Sequence, residues 1–402
     1  MTHAGGPTGS VLALNCGSST LKAALVDLPS GTRRVTVLVE SRGSGPARLA
    51  VHRGAEATED TIDAGDHAAM VAAVVGVLTV GERRDLLAVA HRLVHGGAQV
   101  RDHAVVDDAV RDALEDAAGL APLHVPAALR ALDAARAALP DVPHVATLDT
   151  AYHRELPEVA FRYAVPEAWY ADLGVRRYGF HGLSHQSVAD QVAGRLGRPL
   201  ASLRLVTLHL GNGCSAAAVR DGVSVDTTMG FTPLEGLVMG TRSGDIDAGA
   251  LAYVAGRTGA GVAELVEVLN HESGLLGLSG LSHDVRELTE AEAEGSLPAA
   301  LALDVYCYRA AKAVAALVVP LGGLDALVLT GGVGEHSARV RSGVVGLLTH
   351  LGLTLDDELN AVHGLAVGGV PGRISPPGNP SVWAIPTDEE LVMARAAALL
   401  VG

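Results

Sequence analysis

Cysteine is scarce in this sequence, with Cys16, Cys214 and Cys307 as its three residues in a chain of 402. They are far apart and form no Cys-x-x-Cys pair. This spacing excludes a cysteine-based zinc cluster and a disulfide framework. The pattern is typical of a protein from a reducing compartment.

The chain also lacks the features of membrane-bound and secreted proteins. Its longest apolar stretch, near 70–80, is too short to span a bilayer. Residues 1–10 contain no basic segment followed by an apolar core, as a signal peptide would. The net charge is −15, which argues against nucleic-acid and anionic-membrane partners, because both require a basic surface. We therefore expect a cytoplasmic globular protein long enough for two domains.

Glycine-rich loops follow three apolar runs that are predicted to be buried strands. The run 205–210 leads into Gly211-Asn212-Gly213, the run 11–14 into loop 15–19, and the run 327–329 into a turn at 330–335. Closely spaced glycines expose backbone N–H groups that suit phosphate. One such loop is often only a tight turn, but three together predict a nucleotide site, with two loops on the phosphates and the third at the nucleoside.

The first two loops belong to similar strand–loop–strand units. After each loop a second apolar run returns, and Asp221-Gly222 then predicts a hairpin turn before a third strand. Two such units about two hundred residues apart indicate a duplicated domain. We predict a first domain of 1–150 plus 386–402 and a second domain of 151–385. Helices are expected over 66–78, 107–118, 126–138 and 389–400, the last packing back on the first domain.

Lysine is rarer than cysteine, since only Lys22 and Lys312 occur. Lys22 follows the first glycine loop directly. A lysine there is often just solvated at a strand end, but in a chain so poor in lysine a phosphate contact is the favoured interpretation.

Charged residues at three predicted strand and loop ends are candidates for chemistry. Arg92 lies inside an apolar strand, where a guanidinium needs either an internal carboxylate or a ligand anion, and a ligand is favoured. Asp149 follows the strand 145–148, at the edge where α/β proteins gather ligand groups, although a turn or helix-capping role is equally open. His124 lies between two prolines, and a structural role is the more common one for such a histidine.

A second group of candidates follows in 178–245. Glycines flank His181, which suggests a constrained backbone, while His185 is as readily a helix-start residue. Arg242 is surrounded by small residues that leave room for a ligand. Two arginines, a histidine and an aspartate beside phosphate loops suit phosphoryl transfer, which needs charge stabilisation, an aligned acceptor and a divalent metal. Magnesium needs only one or two protein oxygens, so spacing alone does not reveal its site.

The motifs of this chain resemble those of the acetokinase family, within the superfamily of actin, sugar kinases and heat-shock chaperone ATPases. The resemblance covers about 11–397. Its segments are NCGSSTLK at 15–22, HRLVHGG at 91–97, APLHVP at 121–126, DTAYH at 149–153, RRYGFHGLSH at 176–185, HLGNG at 209–213, VDTTMGFTPLEGLVMGTRSGDID at 225–247, GGVGEHSARVR at 331–341 and IPTDEELVMAR at 385–395.

The resemblance implies an α/β protein with duplicated ribonuclease H-like domains and an active-site cleft between them. It implies reversible, magnesium-dependent transfer of the ATP γ-phosphoryl group to acetate, giving acetyl phosphate and ADP, with Mn²⁺ able to replace Mg²⁺. It also implies a homodimer. The small-molecule partners would be acetate and ATP.

The resemblance also assigns roles by motif position. The metal ligands would be Asn15 and Glu389. The catalytic set would be Arg92, His124, Asp149, His181 and Arg242, with Arg92 binding the carboxylate and Asp149 orienting it, since an ionised acetate needs no strong base. The ATP contacts would be Lys22, His209, Leu210, Gly211, Asn212, Gly213, Asp284, Val285, Arg286, Gly331, Gly332, Val333, Gly334 and Glu335. The methyl pocket would be lined by Val94, Leu123 and Pro233.

Three other functions remain open at this point. A kinase for propionate or another short carboxylate would use the same residues, because one methylene changes pocket affinity by only about 1–3 kcal/mol. A pyrophosphate-dependent relative is a further alternative. A nucleotide-switched binding protein would need no carboxylate clamp, so Arg92 and Arg242 favour an enzyme over it.

Overall fold

The structure is a computed structural model that describes residues 8–17, 19–41, 46–121, 124–362 and 372–402. The chain divides into two compact units. Unit 1 comprises Met1–Arg154 and Asp388–Gly402, and unit 2 comprises Glu155–Thr387. Among the described residues, no helix has both the length and the apolar character that a membrane span requires.

Unit 1 contains an eight-stranded mixed sheet. Its strands are β1 Gly9–Cys16, β2 Thr20–Leu28, β3 Thr32–Glu40, β4 Ala47–Arg53, β5 Glu56–Ile62, β6 Leu86–Leu93, β7 Ala104–Val105 and β8 His144–Leu148. The order across the sheet is β5-β4-β3-β2-β1-β6-β8-β7. β1, β6 and β8 are parallel, so their carboxyl ends share one edge. That edge carries Asn15, Arg92 and Asp149.

The helices between these strands are α1 His67–Val77, α2 Val80–Arg84, α3 Asp108–Asp116 and α4 Val125–Ala138. Three of these four, α1, α3 and α4, form where the sequence predicts them, and α2 was not predicted. Asp66 and Asp107 cap α1 and α3, each accepting from a backbone N–H at 2.8 Å, which satisfies a donor that the helix leaves open. α1 and α4 cover the apolar face of β1 and β2 in one continuous core.

Unit 2 repeats the central part of this sheet. Its strands are β9 Arg204–Leu210, β10 Cys214–Arg220, β11 Val223–Thr227, β12 Ala326–Thr330 and β13 Ser381–Ala384, in the order β11-β10-β9-β12-β13. The central five strands of unit 1, β3-β2-β1-β6-β8, have the same order and the same directions. The predicted duplicated α/β fold is confirmed. The predicted hairpin turn is present, with Asp221 at φ 55° and Gly222 at φ 86°, as a two-residue hairpin requires.

The helices of unit 2 precede, interrupt and follow this sheet. They are α5 Glu158–Phe161, α6 Glu167–Ala171, α7 Gly182–Leu196, α8 Ala248–Thr258, α9 Val262–His271, α10 Gly274–Ser279, α11 Val285–Ala293, α12 Leu297–Leu321, α13 Gly331–His336, α14 Ala338–Gly346 and α15 Asp357–Ala361. Helix α12 contacts β9, β10 and β11, and α7 contacts β9 and β12. The site residues of unit 2 lie at the ends of β9 and β12, at the starts of α7 and α11, and in the segment 228–247.

After unit 2 the chain returns to unit 1 as α16, Glu389–Val401. Asp388 caps it by accepting from Leu391 N–H at 3.0 Å. The helix contacts β1, β2, β6 and β8, and its first residue, Glu389, lies near Arg92.

Candidate active site

A cavity of 770 Å³ opens in unit 2 and joins three segments that are far apart in the sequence. Gly211-Asn212, Asp284–Arg286 and Gly332-Val333 line it together. These are parts of the segments that the family resemblance assigns to ATP. The volume lies within the range of about 300–1,000 Å³ that small-molecule sites occupy, so the cavity has room for a nucleotide.

The loop between β9 and β10 is held by its own backbone and by a second segment. Gly211 N–H donates to Gly213 O at 3.1 Å, and Gly240 N–H donates to Asn212 O at 3.2 Å. A Cβ at Gly240 would lie 2.4 Å from the side-chain oxygen of Asn212. Glycine at this position therefore lets the segment that leads to Arg242 lie directly beside the loop Gly211–Gly213. At the end of β9, Leu210 is buried and His209 is half-buried.

The segment 330–335, predicted to be a turn, is instead the first turn of helix α13, so that prediction was wrong. Glu335 Oε1 accepts from Gly331 N–H at 3.0 Å and from the Thr330 hydroxyl at 3.3 Å. The Glu335 carboxylate thus accepts hydrogen bonds from the first residues of its own helix. A turn prediction considers neighbouring residues and does not include a side chain five positions after Thr330. Gly334 is buried in the same helix, while Gly332 is exposed at the cavity.

Two adjacent glycines at the start of α13 should respond differently to substitution. Gly331 has φ 77°, and a Cβ there would lie 2.6 Å from Leu210 O, whereas a Cβ at Gly332 would meet nothing within 4 Å. Gly331→Ala is expected to destabilise the protein by about 1–3 kcal/mol, because it combines a left-handed backbone with a backbone clash. Gly332→Ala should stay within about 0.5 kcal/mol of the wild type. Urea unfolding measures both, and equal stabilities would contradict this account of the loop.

Asp284 and Arg286 form a charged pair at the start of α11, on the wall of the cavity. Asp284 accepts from Arg286 N–H at 2.8 Å, which caps the helix, and its carboxylate pairs with the Arg286 guanidinium at 2.5 Å. The hydrogen bond between the two side chains lowers the pKa of Asp284 and raises that of Arg286. The guanidinium is fully exposed, so it can leave Asp284 for a ligand.

His181 and Arg242 lie side by side at the phosphate loop. His181 has φ 56°, a left-handed conformation that few non-glycine residues adopt, and it precedes α7. A Cβ at Gly213 would lie 3.2 Å from His181 Nε2 and 3.7 Å from Arg242 Nη1. Backbone strain of this kind costs about 1–3 kcal/mol and is common at functional sites. The structure thus brings together one imidazole nitrogen, one guanidinium and the loop Gly211–Gly213.

Arg242 points at the segment that carries Pro233. Its Nη1 donates to Pro233 O at 2.8 Å, and within the described parts of the chain no carboxylate pairs with it. Burial lowers the pKa of Arg242, and the nearby Cys214 thiol opposes that shift. A largely buried guanidinium that is held only by a neutral carbonyl is ready to receive an anion.

In unit 1, Arg92 pairs with an internal carboxylate rather than waiting for a ligand. Its Nε and Nη2 donate to the two oxygens of Asp149 at 2.9 and 2.7 Å. Its Nη1 lies 3.4 Å from Asn15 Oδ1 and 3.4 Å from Glu389 Oε2. Of the two alternatives for Arg92, the structure therefore shows the internal partner. Asp149 lies in the turn that follows β8, and its carboxylate is engaged by this fork.

The electrostatics of this cluster follow from its burial. Asp149 is 2% and Glu389 12% exposed at the side chain. Burial raises the pKa of Glu389, Arg92 opposes that shift, and the Asp149 charge adds to it. For Arg92, burial lowers the pKa, but Asp149 and Glu389 outweigh it and the net shift is upward. Two carboxylates thus share one cation, which leaves the cluster able to accept a further positive charge.

The remaining sequence-predicted residues of unit 1 lie around this cluster or outside the described chain. His124 is the half-buried residue immediately before α4, and Lys22 is exposed on β2 opposite Asn15. Val94 is half-buried and packs against the core that contains Leu93. Leu123 lies outside the residues that the structure describes.

The two cysteines beside the phosphate loops are expected to be unreactive in the folded protein. Burial raises the pKa of Cys16 and of Cys214 to about 11, and Cys214 Sγ contacts Tyr306 OH at 3.1 Å. Since the thiolate is the nucleophile, a thiol with that pKa holds only about one part in a thousand of it at pH 8. Iodoacetamide at pH 8 should label neither residue until the protein is denatured, as mass spectrometry can show. Rapid labelling of either one in the native protein would contradict this expectation.

Sequence reasoning missed a polar network that fixes the segment carrying Pro233. Glu235 accepts from Tyr163 OH and from Arg177 Nη2, the latter at 2.7 Å. Arg177 also donates to Thr228 O at 2.8 Å, and Tyr163 OH accepts from Phe231 N–H at 2.9 Å. No local sequence pattern predicts this network, because Tyr163 and Glu235 are 72 positions apart.

Comparisons with known proteins agree with the fold. The model of the Acetokinase family matches residues 10–395. Acetate kinase of Deinococcus radiodurans is 48% identical, with 97% of this chain and 98% of the relative covered. Acetate kinase of Shewanella amazonensis is 43% identical over 98% of both chains.

Solved structures of acetate and propionate kinases have the same fold as this chain. A propionate kinase from Francisella tularensis superposes with a TM-score of 0.89 at 34% identity, covering 96% of this chain and 98% of its own. Porphyromonas gingivalis acetate kinase superposes with a TM-score of 0.88 at 36% identity, covering 98% and 100%. The fold and the relatives define a phosphotransferase of the kinase class. The chain belongs to the acetokinase family.

Proposed function

We propose that this protein catalyses the reversible, magnesium-dependent transfer of the ATP γ-phosphoryl group to acetate, giving acetyl phosphate and ADP by direct in-line displacement. The observation that carries the proposal is the cavity of unit 2, where the end of β9, the start of α11 and the start of α13 meet. Those are the segments that an acetokinase would use for ATP. The high identity to proteins named acetate kinase supports acetate as the acceptor.

In this proposal the groups of unit 2 bind the donor and stabilise the transferring group. The loop Gly211–Gly213 and the N-terminal end of α13 offer backbone N–H groups to phosphate. His181 Nε2 and the Arg242 guanidinium, which flank that loop, donate to the oxygens on which charge develops. Arg242 must exchange the Pro233 carbonyl for the phosphoryl group as it does so.

The groups of unit 1 bind and orient the acceptor. Arg92 binds the carboxylate of acetate, and Asp149 holds the Arg92 fork in one orientation through two hydrogen bonds. A carboxylate is already ionised near neutral pH, so Asp149 acts by positioning and no proton needs to be removed. Lys22 contacts phosphate, and His124 supports the phosphoryl site. Val94 and Leu123 accept the methyl group.

Magnesium fits the donor set at the edge of unit 1. Asn15 Oδ1 and Glu389 Oε2 both lie 3.4 Å from the same Arg92 nitrogen, so an amide and a carboxylate oxygen converge on one point. Magnesium takes one or two such protein oxygens and completes its shell with water and phosphate. Among the described residues no three His, Cys, Asp or Glu side chains form a metal cage, as expected for a metal that arrives with the nucleotide. When bound, it would neutralise charge on the ATP phosphates, and Mn²⁺ would replace it.

The test is a steady-state comparison of acetate, propionate and butyrate with ATP, GTP and pyrophosphate as donors, with the acyl phosphate trapped by hydroxylamine. We expect the highest kcat/KM with acetate and ATP, and loss of turnover when EDTA removes the metal. Nucleotide hydrolysis without acyl phosphate would refute the proposal in favour of a nucleotide-switched binding protein. Turnover with pyrophosphate alone would instead identify a pyrophosphate-dependent enzyme.

Propionate kinase activity is the second candidate. It is favoured by the similarity to the Francisella tularensis propionate kinase over nearly the whole chain. The same kinetic comparison decides between acetate and propionate as the acceptor. A pocket that prefers propionate gains about 1–3 kcal/mol of binding free energy from the added methylene.

We also propose a homodimer in the cytoplasm. Helix α8 in unit 2 has no buried residue, although its sequence AGALAYVAGRT is largely apolar. Tyr253 is 70% exposed and the neighbouring Val262 80%. Apolar surface of this kind on a soluble chain is typical of a protein–protein contact, and a second copy would cover it. Light scattering would then give twice the chain mass of 41.0 kDa.

A further inference from the structure

A chain of hydrogen bonds runs through the interior of unit 2 and ends at His181. Its first link joins the Thr207 hydroxyl of β9 to His185 Nδ1 at 2.7 Å. The second joins His185 Nε2 to the Ser215 hydroxyl of β10 at 2.8 Å, and the third joins that hydroxyl to His181 Nδ1 at 2.9 Å. Thr207, His185 and Ser215 are fully buried.

The distances set the direction in which this chain donates. The Thr207 hydroxyl lies 3.5 Å from Ala217 O, well beyond the 2.7–2.8 Å that is usual for O–H···O bonds. A chain that donated in the opposite direction would leave the buried Thr207 proton with this long bond, so donation from Thr207 to His185 Nδ1 satisfies the hydroxyl better. His185 is then protonated on Nε2, which donates to Ser215. The single Ser215 proton is left to donate to His181 Nδ1.

His181 is the residue where this chain meets the phosphate loop. Because its Nδ1 accepts from Ser215, the neutral ring carries its proton on Nε2. Nε2 is the nitrogen near Gly213 and Arg242, as the 3.2 Å distance to a Gly213 Cβ shows. His209 stacks on the His181 ring with centroids 4.2 Å apart, and the Ser184 hydroxyl holds His209 Nδ1 at 2.8 Å. The ring plane is thus fixed as well as the proton.

We propose that Thr207, His185 and Ser215 are positioning residues that hold His181 as the neutral Nε2–H tautomer, a hydrogen-bond donor toward the transferring phosphoryl group. The proposal rests on the role given to His181 in the proposed function. It explains why a histidine can donate there without carrying a positive charge, and why three polar side chains are buried together where α7 packs on the sheet.

Ser215→Ala is the variant that tests the link nearest to His181. Removing a residue that orients a site histidine typically costs about 10- to 100-fold in activity. We expect kcat to fall by that factor with an unchanged KM for ATP, and Ser215→Thr, which keeps the hydroxyl, to recover most of it. Ser381→Ala removes a buried serine from β13 of the same sheet and should leave kcat unchanged. Circular dichroism checks that each variant folds.

Two measurements separate positioning from a merely structural role. In a double-mutant cycle, Ser215→Ala should have no further effect on kcat in a His181→Ala background, because both act through one group. If the loss of kcat in the double variant equals the product of the losses in the two single variants, the proposal is wrong. In ¹⁵N-histidine-labelled protein at neutral pH, NMR should show His181 protonated on Nε2, and less so in Ser215→Ala. An Nδ1–H tautomer in the wild type would also overturn it. The NMR result needs no turnover, so it decides the tautomer even if acetate and ATP give no acetyl phosphate.

Discussion

Replacing Arg242 with alanine is expected to lower kcat by about 10²- to 10³-fold while the KM for ATP changes little. The guanidinium lies beside His181 and Gly213, and its Nη1 donates to the Pro233 carbonyl. In the proposed function its interaction with phosphate strengthens as charge develops on the equatorial oxygens, so its loss falls on the transition state. Because Arg242 has no carboxylate partner among the described residues, removing it strands no buried charge, and the free energy of unfolding should change little.

Arg286→Ala is the matched control for this experiment. Arg286 is also an arginine of unit 2 near the nucleotide cavity, but it is exposed and pairs with Asp284. Its removal should raise the KM for ATP and leave kcat largely intact. Steady-state kinetics with saturating acetate separates the two outcomes. A full wild-type kcat in Arg242→Ala would show that the arginine does not contact the transferring group.

Replacing Arg92 with alanine is expected to destabilise the protein and to weaken acetate binding together. Removing one partner of a buried ion pair costs about 3–5 kcal/mol, and the lower end applies because the Arg92 side chain is 20% exposed. The variant leaves Asp149 and Glu389 facing each other without a cation. A charge-assisted hydrogen bond is worth about 1.5–3 kcal/mol, so the KM for acetate should rise at least about tenfold.

A second variant separates the two effects of Arg92. In Arg92→Ala with Asp149→Asn the buried charge is reduced, so much of the stability should return while acetate binding does not. Arg111→Ala is the control for charge loss alone, because its partners Glu115 and Asp133 are exposed and such a pair contributes about 0–1 kcal/mol. Urea unfolding measures stability and kinetics measures KM. If the double variant regains normal acetate affinity, Arg92 is structural and the carboxylate is bound elsewhere.

Local sequence patterns predicted helices α1, α3, α4 and α16 of unit 1 and the strands beside the three glycine loops, but not the helices of unit 2. Apolar runs predicted strands β1, β6 and β9, and Asp221-Gly222 predicted the hairpin turn. Both predictions succeed because burial in a strand and turn conformation depend on a few adjacent residues. The start of α13 was misjudged, since Thr330-Gly331-Gly332 is typical of a turn. Glu335 reaches back to Gly331 N–H, and only the folded helix shows that this bond is made.

The candidate site was predicted less completely, for reasons of distance along the chain. Motif resemblance named Arg92 and Asp149 but did not show that they bind each other across 57 positions. Likewise Ser215 is one polar residue in an apolar strand, and its two histidine partners come from a different element. Partners of this kind are set by the packing of α7 against the sheet of unit 2. Periodicity carries no information about them.

Unit 1 is split in the sequence, and this has a consequence for the order of events during synthesis. All of Glu155–Thr387 leaves the ribosome before α16 does, so unit 2 can close its sheet while β1, β2, β6 and β8 still await the helix that contacts them. The same late helix delivers Glu389 to the Arg92 cluster. A nascent chain that stops short of it would present a formed nucleotide cavity and an unfinished acceptor site. Under the proposed function, a partly made chain would bind ATP before it could transfer the phosphoryl group.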